Sequence, residues 1–397
     1  MATPVITDLP DAVFAGKRVF VRVDFNVPLK EGVITDDTRI QAALPTLRYV
    51  LSRGGSLILA SHLGRPKGKP TAGMSLEPVA ARLSELLGQA VIFPDDCVGD
   101  GVKKLAAELA PGQVMLLENL RFHAEEEKNN PEFAAALAKL ADVYINDAFG
   151  ASHRAHASVV GMVERFAEGR RAVGLLVARE LEFLEGALDA PKRPFVAVLG
   201  GAKVSDKLGV IKALLKKADT VLVGGAMAYT LLRAQGASVG ASLVEEDRVE
   251  EMARLLELSA GMRAQLLLPV DHVVAQSLDA EKGSVAEGEI AGGWMGLDIG
   301  PRTVARFTAA IKGAGTIFWN GPMGVFEKAP FAEGTMKMAA AIAESGAVTV
   351  VGGGDSVAAV HKAGVAEAIT HISTGGGASL ELVEGLELPA ITALQRR

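Results

Sequence analysis

The sequence predicts an α/β protein of two domains, each a parallel sheet flanked by helices. Three observations carry this expectation. Short apolar runs rich in Val, Ile and Leu recur along the chain, most of them ending in Gly, Asp, Asn or another polar residue. Such runs read as strands buried on both faces of a parallel sheet. Amphipathic helical patterns lie between them, and strand–helix alternation requires right-handed crossovers. The runs number about ten, the upper limit for one open twisted sheet, so two sheets are expected.

In the first half, strands are expected over 19–27, 56–60, 114–117 and 143–145. In the second half they are expected over 195–199, 221–223, 266–268, 317–319, 348–351 and 371–373. A helix over 75–87 stops at Gly88, a natural left-handed terminator. Asn130 and Pro131 start a helix over 132–140, because Asn accepts the orphan N–H groups and Pro fits the first turn. Helices over 205–217 and 333–344 follow, the latter closed by Gly346. A long helical pattern over 173–188, followed by Pro191 and Pro194, marks the boundary. The expected domains are 1–172 and 173–388, with 173–188 a stiff connector.

Composition narrows the function. The 397 residues include 41 Lys plus Arg and 47 Asp plus Glu, a net charge of −6, which disfavours a general nucleic-acid binder. Cys97 is the single cysteine, so neither a disulfide framework nor a Cys-rich metal site is available. The first residues lack the apolar segment of a secretory signal, and no apolar run reaches the roughly 18 residues of a membrane span. A cytoplasmic protein is expected. Glycine is in excess, at 44 residues.

Ligands of open α/β sheets sit beyond the carboxyl ends of the strands. In the first half those positions carry Arg22, Arg39, His62, Arg65, Arg121, His123, His153, Arg154 and His156. Arginines gathered there in an acidic chain point to an anion, since the guanidinium fork suits phosphate or carboxylate. Residues 18, 22, 24 and 26 share one face if 19–27 is a continuous strand. An isolated polar face of this kind reads as an edge strand; the other basic strand ends favour a cleft holding Arg22, Asp24 and Asn26. His153 and His156 are spaced for a metal pair, but the flanking Arg154 opposes a cation.

The second half carries glycines instead. Gly200-Gly201-Ala202-Lys203 leads toward Lys207, and Lys203 and Lys207 share a helix face if both are helical. Gly352-Gly353-Gly354-Asp355-Ser356 and Gly375-Gly376-Gly377 also follow strands. Glycine admits close backbone approach, and helix N-termini attract phosphate. Strand-to-helix turns use glycine for purely structural reasons too, but three in one half, with paired lysines and an acidic metal candidate, favour phosphate. No G-x-x-x-x-G-K-[ST], no G-x-G-x-x-G after a strand and no G-x-S-x-G is present.

Ten stretches in order resemble the phosphoglycerate kinase family over essentially the whole chain. They are RVDFNVP (22–28), DDTRI (36–40), SHLGRP (61–66), LENLRFH (117–123), SHRAHAS (152–158), LGGAKVSDK (199–207), GGAMAYT (224–230), WNGPMGVFE (319–327), GGGDS (352–356) and STGGGAS (373–379). No motif residue departs from the pattern. The resemblance implies two Rossmann-like domains joined by a helical hinge, with the tail 389–397 returning to the first. It implies reversible phosphoryl transfer between 1,3-bisphosphoglycerate and ADP, giving 3-phosphoglycerate and ATP with Mg²⁺, in glycolysis and gluconeogenesis.

By motif, Arg22, Asp24, Phe25, Asn26, Arg39, His62, Leu63, Gly64, Arg65, Arg121 and Arg154 would surround phosphoglycerate. Lys203 and Lys207 would contact the transferring phosphoryl group, with Arg39 the third catalytic candidate. Asp355 would hold Mg²⁺, and Gly353, Gly354, Ser356, Gly376 and Gly377 would meet nucleotide phosphates. Glu327 would bind ribose, and Gly224, Gly225, Gly296, Leu297, Pro322 and Gly324 would line the adenine slot. The family suggests a monomer, with no membrane or nucleic-acid partner.

Elementary chemistry agrees: a carboxylate acceptor is ionised at pH 7 and needs no general base, leaving alignment and charge neutralisation. Competing expectations are another small-anion kinase on the same plan, a non-enzymatic module binding two anions, and, further down, a dehydrogenase.

Overall fold

In the computed structural model, which describes residues 3–396, the chain forms two compact units. One contains the chain up to Leu181 and again from Glu387; the other is Glu182–Leu386.

The first unit is built on a six-stranded parallel sheet. Across it run Val91–Ile92, Val114–Leu116, Ser56–Ala60, Arg18–Val23, Val143–Asp147 and Arg171–Val173. Arg18–Val23 is central, and Val19, Phe20, Val21 and Val23 are fully buried, as a strand covered on both faces must be. It ends earlier than expected. The Asp24 carboxylate accepts the Asn26 N–H at 3.2 Å and the Phe25 carbonyl accepts the Val27 N–H at 2.8 Å. This local bonding takes the amides away from the ladder, so residues 22, 24 and 26 do not share a strand face. The short strands at 91–92 and 171–173 were too brief to register as apolar runs.

The second unit carries another six-stranded parallel sheet, ordered Gln265–Leu267, Thr220–Val223, Phe195–Leu199, Thr316–Asn320, Val348–Val351 and His371–Ile372. In chain order this is 3-2-1-4-5-6, the doubly wound arrangement whose direction of winding reverses between the first and fourth strands. Trp319, Phe318, Phe195 and Phe307 fill its core. A small antiparallel sheet of Asp271–Ala275, Ser284–Glu287 and Met295–Ile299 accompanies it. Sequence patterning does not anticipate that sheet: in Ser284–Glu287 three of four residues are exposed, so no apolar run marks it.

The helix ends follow their caps. Asn130 Oδ1 accepts from the Glu132 and Phe133 N–H groups, starting Pro131–Ala138. Gly88, at φ 68°, ends Glu77–Leu87, and Glu333–Ala343 stops before Gly346, at φ 69°.

Two helices differ from expectation. Ser205–Lys207 is a 3₁₀ turn and the α-helix is Leu208–Lys217, so Lys203 precedes the helix and shares no helical face with Lys207. The 173–188 pattern is Leu175–Leu181, then a π-helical stretch Glu182–Gly186, then Ala187–Asp189. Gly186, a weak helix former, closes the widened stretch, and the division between units falls within this segment, at Leu181/Glu182.

The helix Pro389–Gln395 lies in the first unit and buries Ala390, Ile391, Ala393 and Leu394. The Ala390 N–H donates to the Ser152 carbonyl at 3.1 Å.

Candidate active site

In the first unit the polar residues converge beyond the carboxyl ends of Arg18–Val23 and Ser56–Ala60. Arg39 Nη1 pairs with Asp24 Oδ2 at 2.6 Å. Burial raises the Asp24 carboxyl, but the adjacent His62, the charges of Arg39 and Arg22 and the Asn26 N–H outweigh it and hold the group below its ordinary value. His62 is buried, and its Nδ1 lies 3.3 Å from Arg22 Nη2. Burial, aided by Arg22, Arg121 and Arg39, drives its pKa well down against the pull of Asp24. The ring is therefore neutral: Nδ1 accepts from Arg22 and Nε2 keeps the proton as a donor.

Arg22 is itself buried, 1% exposed. Its Nε donates to Ser158 Oγ at 2.8 Å and its Nη1 to the Val23 carbonyl. Ser158 Oγ in turn donates to Glu126 Oε1 at 2.6 Å. Arg22 thus sits under the site, orienting His62, rather than lying open in a cleft.

The loops between are set by backbone bonds. Ser61 Oγ accepts the Phe25 N–H at 2.8 Å, and Asn26 Oδ1 accepts the Gly64 N–H at 2.9 Å. Gly64 has φ 62°, a conformation that favours glycine. Asn119, fully buried, accepts from the Leu63 and Arg121 N–H groups and donates to the Leu63 and Met74 carbonyls. Arg121 Nη1 donates to the Gly64 carbonyl at 2.8 Å. Its Nε is buried without a hydrogen bond, 3.4 Å from Glu127 Oε1. A buried donor left in this state fits an anion site. Arg154 Nε lies 3.3 Å from His153 Nε2. Arg65 is exposed on the same loop as His62. His156 is held neutral: burial, then Arg22 and Arg121, pushes it down to about 3.

Sequence reasoning missed Ser61, Ser158 and Glu126 as supports, and passed over Asn119 within its own motif. For Ser61 and Asn119 the available signal was a polar residue just beyond a buried strand; Glu126 and Ser158, which lie in helices, carried none.

The second unit builds its site differently, at the reversal between Phe195–Leu199 and Thr316–Asn320. Gly200 and Gly201 follow one strand, and Gly321 and Pro322 follow the other. The Gly201 N–H donates to the Pro322 carbonyl at 3.1 Å, and the Gly225 N–H to that of Met323 at 2.9 Å. A Cβ on Gly200 would lie 2.0 Å from the Pro322 oxygen, and one on Gly225 2.5 Å from the Gly201 nitrogen. These glycines serve loop-to-loop contact. Gly296 packs on Tyr229 and Gly324 on Asp298 for the same reason, and Gly224 faces Met323. Gly354 and Gly376, by contrast, face open space.

Lys207 Nζ donates to the Gly200 carbonyl at 2.6 Å and the Asn320 carbonyl at 2.9 Å, tying the two strand ends together. Burial lowers its pKa to about 8 against the opposing charges of Asp355 and Asp206. Lys203 is exposed on the loop ahead.

Helix Gly354–Lys362 starts at Gly353, with φ 89°, and its first-turn N–H groups have no intrahelical acceptor. Ser356 is buried, its Oγ accepting the Gly321 N–H at 2.5 Å. Asp355 is exposed in that first turn. Gly376 and Gly377 open the helix Gly377–Glu384. Leu297 is buried, and its carbonyl accepts the Val325 N–H at 2.8 Å. Glu327 is exposed two residues further on.

A buried, anion-favouring side-chain cluster on one sheet and a glycine-lined, lysine-bearing switch point on another define a two-domain α/β kinase. The family model for phosphoglycerate kinase matches residues 9–386. A phosphoglycerate kinase from Anaeromyxobacter dehalogenans (strain 2CP-C) is 59% identical over 386 residues, covering 96% of this chain and 97% of the relative. One from Picosynechococcus sp. is 57% identical over 400 residues, 99% of each. The solved phosphoglycerate kinase of Coxiella burnetii superposes with a TM-score of 0.89 at 39% identity, covering 99% of both chains. That of Pyrococcus horikoshii OT3 gives 0.85 at 38%, covering 96% of both. The chain belongs to the phosphoglycerate kinase family.

Among the described residues, no helix is long and apolar enough to cross a membrane.

Proposed function

We propose that the chain catalyses Mg²⁺-dependent, reversible phosphoryl transfer between 1,3-bisphosphoglycerate and ADP, giving 3-phosphoglycerate and ATP, as a cytoplasmic monomer. The observation that supports it best is Lys207, whose ammonium bridges the Gly200 and Asn320 carbonyls at the winding reversal of the second sheet, where α/β sheets take nucleotides.

In this reading Arg39, Arg121, Arg154, Arg65 and the Nε2–H of His62 receive the carboxylate and phosphate of phosphoglycerate, with Asn26 and Asp24 holding the loop and Arg39 in place. Arg22 acts through His62 as a positioning residue. Phe25, Leu63 and Gly64 supply the loop backbone. The first-turn amides of Gly354–Lys362 and the open glycines 376 and 377 meet nucleotide phosphates, Lys203 and Lys207 add positive charge, and Glu327 takes the ribose hydroxyls. The adenine lies against the backbone of 224–225, 296–297, 322 and 324.

Asp355, exposed in that first turn beside the charge of Lys207, suits Mg²⁺, which takes one or two carboxylates together with substrate phosphates. When bound it would neutralise phosphate charge. The acceptor carboxylate attacks without losing a proton, so the residues align and neutralise. Transfer brings the two ligands into line, for which the 173–188 segment is the proposed hinge.

The test is ADP release from ATP with 3-phosphoglycerate, with and without chelator. Turnover that needs both metal and acceptor, and collapses in Lys207→Ala, supports the reading. Nucleotide binding without 3-phosphoglycerate turnover would leave the chain a kinase for a different small anion.

A further inference from the structure

Away from the residues used above, the first unit holds a compact trio of metal ligands: a thiol, an imidazole and a carboxylate. Asp96 and Cys97 lie between strand Val91–Ile92 and helix Asp100–Ala107, and His123 follows the 3₁₀ turn Leu120–Phe122. One ligand atom from each lies within 4.8 Å of the others. Asp96 Oδ1 is the hub: it sits 2.7 Å from His123 Nε2 and accepts the Cys97 N–H at 2.6 Å. The thiol is fully buried beneath, while the Asp96 and His123 side chains are 49% and 28% exposed. The imidazole is fixed by stacking on Phe133, with centroids 5.2 Å apart.

The geometry points to a binding site for one borderline divalent cation of the zinc class, held by Asp96 Oδ1, Cys97 Sγ and His123 Nε2. A tetrahedral zinc with bonds of about 2.0–2.3 Å keeps its ligand atoms roughly 3–4 Å apart, so the trio closes by a small side-chain adjustment. The cation enters from the exposed carboxylate and imidazole and meets the sulfur at the base. The thiol proton leaves to solvent, the imidazole carries its remaining proton on Nδ1, and water takes the fourth position. Thiolate with imidazole selects against Mg²⁺, which demands oxygen ligands, so this site is separate in chemistry from any nucleotide-bound magnesium. Occupancy pins the 93–99 loop to the turn that carries Arg121.

Cys97 is the single cysteine of the chain, which makes the test specific. Cobalt(II) added to the full chain is expected to produce one thiolate-to-cobalt charge-transfer band, saturating at one ion per chain. Zinc should displace it, and magnesium in the same excess should not. Because Cys97→Ser removes the band by definition, the decisive variants are His123→Gln and Asp96→Asn. Each should weaken cobalt binding by roughly tenfold or more while far-UV circular dichroism shows the fold intact. No thiolate band at saturating cobalt, or a band of undiminished affinity in both variants, overturns the proposal.

Discussion

In the proposed reading both units hold a phosphate-bearing ligand, and they do so with opposite materials. The first uses side chains held by a buried under-layer: Glu126, Ser158 and Arg22 in a hydrogen-bonded row beneath His62, with Arg39 paired to Asp24. The second uses backbone, with glycines that let loops touch and a lysine pinned to two carbonyls. In the first unit specificity sits in replaceable side-chain chemistry. In the second it sits in the shape of the chain, which tolerates no added atom at Gly200 or Gly225.

Substitutions should expose that contrast. Arg39→Ala removes a charge in contact with Asp24 and should lower kcat by about 10²–10³-fold while leaving nucleotide affinity unchanged. Steady-state kinetics and a binding titration check it; full activity in the variant would refute the side-chain account of the first unit. Gly200→Ala should act through structure instead. Its Cβ would meet the Pro322 oxygen at 2.0 Å, so denaturant unfolding should show a loss of about 3 kcal/mol together with weakened nucleotide binding. Wild-type stability in that variant would mean the loops are less tightly matched than described.

A smaller effect is expected from pH. Lys207 is pushed down to about 8, so above that pH the free protein loses the charge that attracts phosphate. Nucleotide affinity should fall by up to about tenfold per unit, and Lys207→Arg, charged throughout, should flatten the profile in binding measured from pH 7 to 10.

A second pH effect compares one buried carboxyl from each unit. Burial raises Asp147 to about 7 and Asp298 likewise to about 7, so the folded protein binds protons that the unfolded chain has released. The stability from each neutral carboxyl is full below about pH 4 and is lost as pH rises through 7. Asp147→Asn and Asp298→Asn should each flatten the decline between pH 4 and 7, read from unfolding midpoints at both ends. A midpoint difference identical to wild type in both variants would mean these carboxyls ionise normally.

The same contrast explains what was legible in the sequence. Both parallel sheets could be read because their strands are buried on both faces and therefore uninterruptedly apolar, as in Phe195–Leu199. The arginine cluster could be read because charge at a strand end is anomalous. The under-layer could not: nothing in the residue types of Glu126 or Ser158 distinguishes a buried bond from a solvated one. Lys203 and Lys207 looked paired because helix periodicity was extended across a 3₁₀ turn that breaks it. The antiparallel sheet at 271–299 escaped because one of its strands is mostly exposed. Glycine was informative about where the chain is tight, but Gly200, Gly225, Gly296 and Gly324 answer to neighbouring protein atoms, whereas Gly354 and Gly376 face open space.

The helix Pro389–Gln395 has a consequence for synthesis. It returns to the first unit, where Gln395 Nε2 donates to Thr3 Oγ1 at 2.8 Å across nearly the whole length of the chain. The second unit is continuous, Glu182–Leu386, and its last residue is synthesised before that helix. The usual order, in which the amino-terminal domain finishes first, is therefore reversed at this step: the unit begun first keeps the surface that receives Ile391 and Leu394 uncovered until the helix beyond the second unit is made.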